Sequence, residues 1–378
     1  MSGVAYVLMS GALIAVLALA MTFINLAVLG RVRPGPRGGP LVSVCIPARN
    51  EQENIGGCID SVLSAGYTDL EVLVYDDQSS DDTPRILADM AGRDPRVRRV
   101  ATQPLPDGWN GKQHACHRMA GEARGEWLLF TDADVRFHQN AIGASLEAAG
   151  RLGAGLISAF PRQIVKTPGE ALLVPMIFFV LLSYLPFPRM RRTNDPASSA
   201  GCGQFLFVSR SAYDASGGHA GFRESMHDGI RLPRAVRRAG MHSDLIDGTE
   251  IAECRMYRDL ATAWRGFAKN AYEGLGSVAL LVFATGLHLI GHIVPWLALF
   301  LWLTGVREAD LIERVAASIA VLTGVAQRVV ISARLRLPMW IAVAHPVGVS
   351  LMVAVQWWSW WIALRGRREW RGRAATAA

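Results

Sequence analysis

The stretch Leu128–Asp134, with the sequence LLFTDAD, is an apolar run that ends in two carboxylates two residues apart. Side chains alternate between the two faces of a strand, so residues i and i+2 point the same way where the strand ends. Paired carboxylates at the carboxyl end of a buried strand suit a divalent cation, Mg²⁺ or Mn²⁺, that carries a nucleotide phosphate. Taken alone, the same residues fit a solvated turn equally well.

Two apolar runs upstream also end in polar clusters. Leu41–Ile46 is followed by Pro47–Glu51 (PARNE), and Leu70–Tyr75 is followed by Asp76–Thr83 (DDQSSDDT). Helical patterns separate the three runs, which predicts right-handed βαβ units and a parallel sheet. Ligands collect at the carboxyl ends of the strands in such sheets. No Gly-x-Gly-x-x-Gly fingerprint follows the first strand, which disfavours a dinucleotide-binding fold of the dehydrogenase type.

These motifs in combination resemble those of the family 2 glycosyltransferases, the nucleotide-diphospho-sugar transferases of the A-type fold. The resemblance covers about residues 41–275 and implies an α/β fold with a mostly parallel sheet. It includes three further motifs, Trp109–Lys112 (WNGK), Gly201–Phe205 (GCGQF) and Met226–Gly229 (MHDG).

The resemblance also assigns roles to individual residues. It implies that the metal ion is bound by Asp132 and Asp134 and that Asp228 is the catalytic base. The residues implied to bind the nucleotide-sugar are Pro47, Ala48, Arg49, Glu51, Asp76, Asp77, Lys112 and Asp132. Those implied on the acceptor side are Gly203, Gln204, His227, Arg258, Trp264 and Arg265.

Two departures from the family pattern bear on the substrate. The residue before the base is usually Glu, and here it is His227. The Gln-x-x-Arg-Trp motif of processive polysaccharide synthases is absent, and Arg255–Arg258 (RMYR) and Trp264–Asn270 (WRGFAKN) stand in its place. This part is similar to transferases that glycosylate membrane lipids such as carotenoid acids or hopanoids. The resemblance therefore implies an inverting, metal-dependent hexosyltransferase, with UDP-hexose as the expected donor and a membrane lipid as acceptor.

Two other functions remain open. The first is a processive polysaccharide synthase, against which the missing Gln-x-x-Arg-Trp motif argues. The second is a non-catalytic membrane scaffold with a transferase-like domain, against which the presence of every acidic motif argues.

The composition indicates a membrane protein, since 51% of the 378 residues are hydrophobic and only 19% are charged, against about 25% charged in typical soluble domains. Residues 1–30 carry no charge and exceed the roughly 20 apolar residues that cross a bilayer. They predict an N-terminal anchor. Arg31, Arg33 and Arg37 lie in the linker 31–40, so the positive-inside rule places the transferase domain 41–275 in the cytoplasm, at the inner (plasma) membrane.

The region 276–364 is predicted to be transmembrane, and a basic tail follows over 365–378. Its apolar runs are Gly276–Val306, Val315–Ala333 and Pro338–Leu364. Three full crossings would carry the basic tail to the outside, against the positive-inside rule. Either one segment, such as Pro338–Leu364, returns to the side from which it entered, or the tail violates the rule.

Two segments within the transferase domain, 171–187 and 255–270, combine apolar residues with nearby arginine or lysine. They are predicted to lie in the membrane interface beside the acceptor site, with ordinary core helices as the alternative. The net charge of +7 comes without a basic–aromatic nucleic-acid motif. The bilayer and phosphate groups are therefore the predicted partners of the basic residues, and nucleic acid is not.

Overall fold

The computed structural model describes residues 2–365, 369–370 and 373–374. The chain forms two compact units. The α/β unit consists of Leu29–Gln163 and Pro188–Met256, and the helical unit of residues 2–28, Ile164–Phe187 and Tyr257–Arg365. The predicted transferase domain 41–275 is thus divided, because the segment 171–187 and most of the segment 255–270 belong to the helical unit.

Only part of the predicted basic tail 365–378 is described. Glu369–Trp370 and Arg373–Ala374 form a short antiparallel pair of strands. The other residues after Arg365, which include Arg367, Arg368 and Arg371, lie outside the described residues.

A single mixed sheet forms the centre of the α/β unit as described. Its strands are β1 Val42–Ala48, β2 Leu70–Asp76, β3 Val97–Val100, β4 Trp127–Phe130, β5 Val135–Phe137, β6 Leu156–Gln163, β7 Leu206–Ser209 and β8 Ser243–Cys254. Their order is β3-β2-β1-β4-β7-β6-β8-β5. β1 is parallel to β2 and β4, β2 to β3, and β6 to β8, whereas β4–β7, β6–β7 and β5–β8 are antiparallel. The predicted α/β fold with a mostly parallel sheet is confirmed.

The helices divide between the two units. In chain order they are α1 Gly3–Leu29, α2 Ile55–Leu63, α3 Thr83–Arg93, α4 Gly111–Glu122, α5 Ala141–Leu152, α6 Pro168–Leu173, α7 Met176–Tyr184, α8 Phe187–Arg192, α9 Arg210–Ala215, α10 Asp228–Arg238, α11 Leu260–Ala268, α12 Ala271–Leu275, α13 Val278–His288, α14 Val294–Leu303, α15 Leu311–Leu335 and α16 His345–Leu364. α1, α6, α7 and α11 to α16 build the helical unit, and the others pack in the α/β unit.

Both faces of the sheet are apolar, as expected for parallel strands covered by helices on both sides. Val44 of β1 packs in one cluster with Leu129 and Phe207, beneath α2, α3 and α5. The next residue, Cys45, packs on the opposite face with Leu128 and residues of α4 and α10. The alternation along the strand therefore fixes which helices cover which face.

The register of the strands brings the predicted motifs to one edge of the sheet. Ala48 of β1 pairs with Asp76 of β2, and Cys45 pairs with Phe130 of β4. Phe130 also pairs with Leu206 of the antiparallel strand β7. The carboxyl ends of β1, β2 and β4 therefore lie at the same edge as the amino end of β7, which follows the glycine loop Gly201–Phe205.

Four helices of the described chain are long and apolar enough to cross a membrane, namely α1, the continuous helix Val278–Leu303, α15 and α16. Val278–Leu303 consists of α13, a π turn over Leu289–Ile293 and α14. α1 approaches the π turn closely, because a Cβ at Gly291 would be 2.6 Å from Ile14 Cγ2. Small residues at such contacts allow apolar helices to pack backbone against backbone.

α16 runs antiparallel to the first half of Val278–Leu303. At its start, His345 Nε2 lies 3.1 Å from His292 Nδ1 in the π turn. Near its end, Ser359 Oγ accepts a hydrogen bond of 2.9 Å from the backbone N–H of Tyr272, just before that helix begins. α16 therefore starts beside the middle of the long helix, and near its end it contacts α12, which precedes that helix.

The segment 171–187, predicted to lie in the membrane interface, is packed inside the helical unit. α6 and α7 are separated at Pro175, and the side chains of Phe178 and Leu182 are only 5% and 3% exposed. Asn25 of α1 donates hydrogen bonds to the carbonyls of Leu182 and Leu185 at 2.9 and 2.7 Å. The segment is thus held by buried polar contacts as well as by apolar packing.

Candidate active site

Lys112 joins two of the predicted site carboxylates. Its ammonium lies 2.7 Å from Asp132 Oδ1 and 2.9 Å from Asp228 Oδ2, and its side chain is 15% exposed. Asn110 caps α4, because its Oδ1 accepts the N–H of Lys112 at 3.0 Å. The start of α4, the residues after β4 and the start of α10 therefore converge on a single positive charge.

The charges of this cluster stabilise one another. Burial alone would raise the pKa of Asp228, but the adjacent ammonium of Lys112 outweighs it and holds that pKa below its ordinary value. Burial would likewise lower the pKa of Lys112, and the carboxylates of Asp132 and Asp228 instead raise it well above its ordinary value. Asp228 is therefore an ionised, buried carboxylate at neutral pH, which is the form that can accept a proton.

The glycine loop fixes the position of Asp228. Asp228 is the first residue of α10, and its Oδ1 accepts the N–H of Gly229 at 2.8 Å. A Cβ at Gly203 would overlap that oxygen and lie 3.0 Å from Asp228 Cγ. A Cβ at Gly229 would in turn be 2.8 Å from the backbone nitrogen of Gly203. The loop and the helix can approach this closely only because both positions are glycine.

The loops after β1 and β2 are linked by polar side chains. Arg49 donates to the carbonyl of Asp77 and lies 3.7 Å from its carboxylate. Asn50 has a positive φ of 53° and donates its N–H to Ser79 Oγ at 2.9 Å. Asp76 accepts hydrogen bonds from the N–H and the hydroxyl of Ser79. Three residues assigned from the sequence, Arg49, Asp76 and Asp77, therefore lie together at the sheet edge and order its loops.

The remaining residues of the first motif lie next to this pair of loops. Pro47 and Ala48 are the last two residues of β1. Glu51 is 8% exposed, and its backbone N–H donates to Thr83 Oγ1 at 2.8 Å. The first motif thus continues the sheet edge and is tied to the start of α3.

The predicted metal ligands provide part of a coordination sphere. Asp132, one-third exposed and paired with Lys112, and Asp134 follow β4. Within the described part of the chain, no group of three or more His, Cys, Asp or Glu residues could hold a metal ion. Mg²⁺ is commonly held by one or two carboxylates together with substrate phosphates and water. These side chains therefore fit a cation that arrives with a diphosphate.

A hydrogen-bonded chain behind Asp134 was not predicted from the sequence. Gln163 Nε2 donates to Gln204 Oε1 at 3.1 Å, and Gln204 Nε2 donates to Cys254 Sγ at 3.0 Å. The Cys254 thiol makes a side-chain hydrogen bond to Asp134. Gln204, assigned to the acceptor side, is only 4% exposed. These residues come from β6, the glycine loop and β8, so no local pattern could have revealed their contact.

His219 is a second residue near the base that the site assignment missed. It is fully buried, and its Nδ1 lies 2.9 Å from the hydroxyl of Tyr213. Burial lowers the pKa of His219 to about 3, so the imidazole is neutral under physiological conditions. A neutral imidazole adds no charge beside Asp228, so the ammonium of Lys112 is what holds that carboxylate ionised.

Comparison with known proteins identifies the α/β unit. Residues 43–217 match the sequence profile of the family described as "Glycosyl transferase family 2". The chain carries a family 2 glycosyltransferase domain. Lys112, Asp132 and Asp134 lie within the matched residues, and Asp228 lies beyond them.

Related glycosyltransferases match beyond the family domain. The chain is 26% identical over 341 residues to the 4,4'-diaponeurosporenoate glycosyltransferase of Staphylococcus aureus (strain USA300), covering 88% of this chain and 87% of that protein. It is 27% identical over 259 residues to the protein of the same name from Staphylococcus haemolyticus, covering 68% of this chain and 66% of that protein.

A solved glycosyltransferase has the same fold. The mannosyltransferase PcManGT from Pyrobaculum calidifontis, in complex with GDP-Man and Mn²⁺, superposes with a TM-score of 0.55 at 17% identity, over 94% of this chain and 98% of that chain. The predicted A-type fold is confirmed by this likeness.

The residues assigned to the acceptor side of the glycosyltransferase belong to both units. Arg258 and Arg265 are exposed, and Trp264 packs in the apolar cluster that contains Ala263 and Val355. Gly203, Gln204 and His227 lie in the α/β unit, and Arg258, Trp264 and Arg265 lie in the helical unit.

The contact between Gly203 and Asp228 leads to a prediction. Gly203→Ala should lower the rate of sugar transfer by roughly 10²-fold, because the methyl group displaces a reacting group by about an ångström. The rate is measured with purified full-length protein, and the melting temperature is measured in parallel. Gly150→Ala is the matched control, since no atom lies within 4 Å of a Cβ there. Equal rates for the two variants would contradict the assigned role of the glycine loop.

Proposed function

We propose that this glycosyltransferase moves a hexose from a nucleoside diphosphate sugar, with UDP-hexose as the expected donor, to a membrane lipid. The acceptor class is a carotenoid acid or a similar long apolar acid, and the anomeric carbon is inverted. The observation that carries the proposal is the bridge from Lys112 to Asp132 at 2.7 Å and to Asp228 at 2.9 Å. The ammonium of Lys112 thus links Asp132, which is assigned to the nucleotide-sugar site, to Asp228, the proposed base. The name of the Staphylococcus aureus relative, aligned over 88% of this chain, supports the acceptor class.

Asp228 is the proposed base. It takes the proton of the acceptor hydroxyl or carboxyl while the acceptor oxygen attacks C1 of the sugar. The bond from C1 to the diphosphate oxygen breaks, and the leaving diphosphate keeps the bonding electrons. Lys112, buried and fully charged, stabilises that developing negative charge as a compact cation. The inverting outcome follows from the resemblance to the family.

The donor is proposed to bind along the sheet edge. Asp76 and Asp77, with the turn Pro47–Glu51, contact the nucleoside, and Lys112 contacts the diphosphate. A divalent cation bound by Asp132 and Asp134 supplies Lewis-acid stabilisation of the diphosphate. The ordered loops after β1 and β2 support this assignment, because a site that needs no rearrangement binds its ligand at lower entropic cost.

The acceptor is proposed to come from the bilayer. Arg258, Trp264 and Arg265, assigned to the acceptor side, belong to the unit that carries the long apolar helices. Gly203 and His227, which are also assigned to the acceptor side, belong to the α/β unit. An apolar acid can then keep its tail in hydrocarbon, which avoids transfer of that surface into water.

The protein is proposed to be a multi-pass protein of the inner (plasma) membrane, with its transferase domain in the cytoplasm. α1, Val278–Leu303 and α15 are the three crossings. α16 starts at membrane depth beside His292 and returns toward Tyr272. Arg365 is then on the same side as the basic linker 31–40, which agrees with the positive-inside rule.

The base assignment is tested with Asp228→Asn, which preserves shape and removes basicity. Transfer from UDP-hexose to a carotenoid acid in nanodiscs should fall by roughly 10²–10⁴-fold, while the affinity for the nucleotide-sugar stays near that of the wild type. Asp214→Asn, at an exposed residue of α9, is the matched control and should remain active. Loss of donor binding in Asp228→Asn would make this residue part of the donor site instead.

The products of the same assay distinguish the alternative functions by mass. One added sugar per acceptor is expected. A ladder of added sugars would favour a processive synthase, and the absence of turnover with any nucleotide-sugar would favour a non-catalytic scaffold.

The metal assignment predicts that wild-type protein loses activity in excess chelator and regains it with Mn²⁺ or Mg²⁺. Asp134→Ala should reduce transfer by ~100-fold or more at saturating metal, because several kcal/mol of charge stabilisation are removed. Asp60→Ala, at an exposed residue of α2, should have no such effect. Full activity of the wild type in chelator would refute metal dependence.

The topology is tested with reporter fusions. A fluorescent protein fused after Ala378 should fluoresce, and alkaline phosphatase at the same point should be inactive, because both would be cytoplasmic. Phosphatase fused after Gly305, in the turn between α14 and α15, should be active. Active phosphatase at the C-terminus would mean that α16 crosses the membrane completely.

A further inference from the structure

Arg328 is an isolated charge in the interior of the helical unit. Its side chain is 1% exposed, and among residues 2–365 its hydrogen-bond acceptor is the carbonyl of Pro175, at a long 3.5 Å. No described residue accepts a hydrogen bond from its Nε. No carboxylate among residues 2–365 forms a salt bridge with it. A buried guanidinium with unused donors is unfavourable unless an acceptor group satisfies it.

Arg237 is a buried arginine whose guanidinium is satisfied by hydrogen bonds within the protein. It is 2% exposed, yet its guanidinium donates to four backbone carbonyls and one hydroxyl. The acceptors are the carbonyls of Met190, Thr193, Asp195 and Ser243 and the hydroxyl of Ser243. Arg328 has no comparable set of acceptors, although it is buried to the same degree.

A row of polar side chains lies in the same interior. His345 Nε2 is 3.1 Å from His292 Nδ1, and His292 Nε2 is 2.9 Å from the hydroxyl of Tyr184. The Nδ1 atoms of His345 and His288 are buried and have no hydrogen-bond partner. His345 packs against Gly324 of α15, one turn before Arg328, since a Cβ there would lie 3.4 Å from His345 Cδ2.

The first turn of α16 adds a second source of positive potential. α16 begins at His345 with Pro346 in its first turn, and its N-cap residue Ala344 offers no side-chain cap. Pro346 has no N–H, and Val347 and Gly348 donate theirs to the carbonyl of Ala344 at 3.1 Å. What this end offers an anion is therefore the partial positive charge of the helix terminus and the side chain of His345. This end lies beside His292, in the middle of Val278–Leu303, and therefore at membrane depth. Broken helices that end inside a membrane use such ends to bind anionic groups.

We propose that Arg328, His345 and the first turn of α16 bind the anionic head of a membrane amphiphile, either a carboxylate or a phosphate. Both heads present two oxygens to a guanidinium fork. The neighbouring outward residues of α15 are apolar, with Leu322 and Val329 exposed by 68% and 40%, so a hydrocarbon tail can lie along the bundle. This site takes no part in donor chemistry, and its occupation is measured as binding rather than as turnover.

The test uses purified full-length protein in an uncharged detergent and four probes. Oleate and oleyl phosphate carry the two anionic heads, oleyl alcohol carries the same chain without charge, and inorganic phosphate has no chain. Binding is followed by native mass spectrometry and by the melting temperature. Oleate or oleyl phosphate should bind at least tenfold more tightly than oleyl alcohol and should raise the melting temperature. The head that binds more tightly identifies the natural class.

Variants then assign the effect to Arg328. Arg328→Gln should remain folded, because a buried ion is replaced by a neutral group, and should lose the tenfold preference for an anionic head. Arg328→Lys should retain part of it. Arg314→Gln is the control, since Arg314 is an exposed arginine of the same helix that lies over the ring of Trp302.

Three outcomes would overturn the proposal. The first is equal binding of oleyl alcohol and the anionic probes to the wild type. This outcome is measured on the wild type alone and so does not depend on whether Arg328→Gln folds. The second is an unchanged preference in Arg328→Gln. The third is equal binding of inorganic phosphate and oleyl phosphate, which would show that the site takes a water-borne anion and no amphiphile.

Discussion

The contact of the Lys112 ammonium with Asp132 and Asp228 is the interaction on which the candidate active site depends. A buried carboxylate without a partner takes up a proton instead of remaining charged, and the lysine prevents this at Asp228. The ammonium has three donors, of which two point at these carboxylates. The sheet register, the cap at Asn110 and the glycine at position 203 all serve to bring the three groups within hydrogen-bond distance. The fold around the site therefore positions Lys112, Asp132 and Asp228 as one cluster of charged side chains.

The sequence predicts this edge of the sheet because each signal is local. An apolar run followed by carboxylates marks the end of β4, and the same rule marks the ends of β1 and β2. The parallel register then makes their convergence a geometric necessity, as the pairing of Ala48 with Asp76 shows. The contact from Gln204 through Cys254 to Asp134 could not be predicted in this way. It joins residues from distant parts of the chain. From the sequence, Gln204 is a polar loop residue of the kind expected at the surface, but in the structure it is buried.

In the helical unit, hydropathy predicts that apolar helices form but does not predict how they pack against one another. The run Pro338–Leu364 is as apolar as a crossing helix, and composition does not record whether a helix crosses or returns. The long-range contact between His345 and His292 adds a constraint that composition lacks, because it fixes where α16 begins relative to Val278–Leu303. The segment 171–187 is similar. Its length and prolines predict an interfacial helix, and hydropathy gives no sign of the hydrogen bonds by which Asn25 holds it within the helical unit.

Arg328 differs from the buried charges that have ion-pair partners in the described parts of both units. In the α/β unit, Glu71 is paired with Arg98 and Arg124, and Asp244 is paired with Arg191. In the helical unit, Glu313 is paired with Arg307, whereas the hydrogen bond of Arg328 among the described residues is a long one to the carbonyl of Pro175. A leucine or methionine would fill the same volume without the penalty of a buried ion. Packing therefore gives no reason for an arginine at this position, and neither does solubility, since the side chain is 1% exposed. Attraction for an anion is the property that arginine has and the apolar residues lack, and the uncapped first turn of α16 beside His345 has the same electrostatic sign.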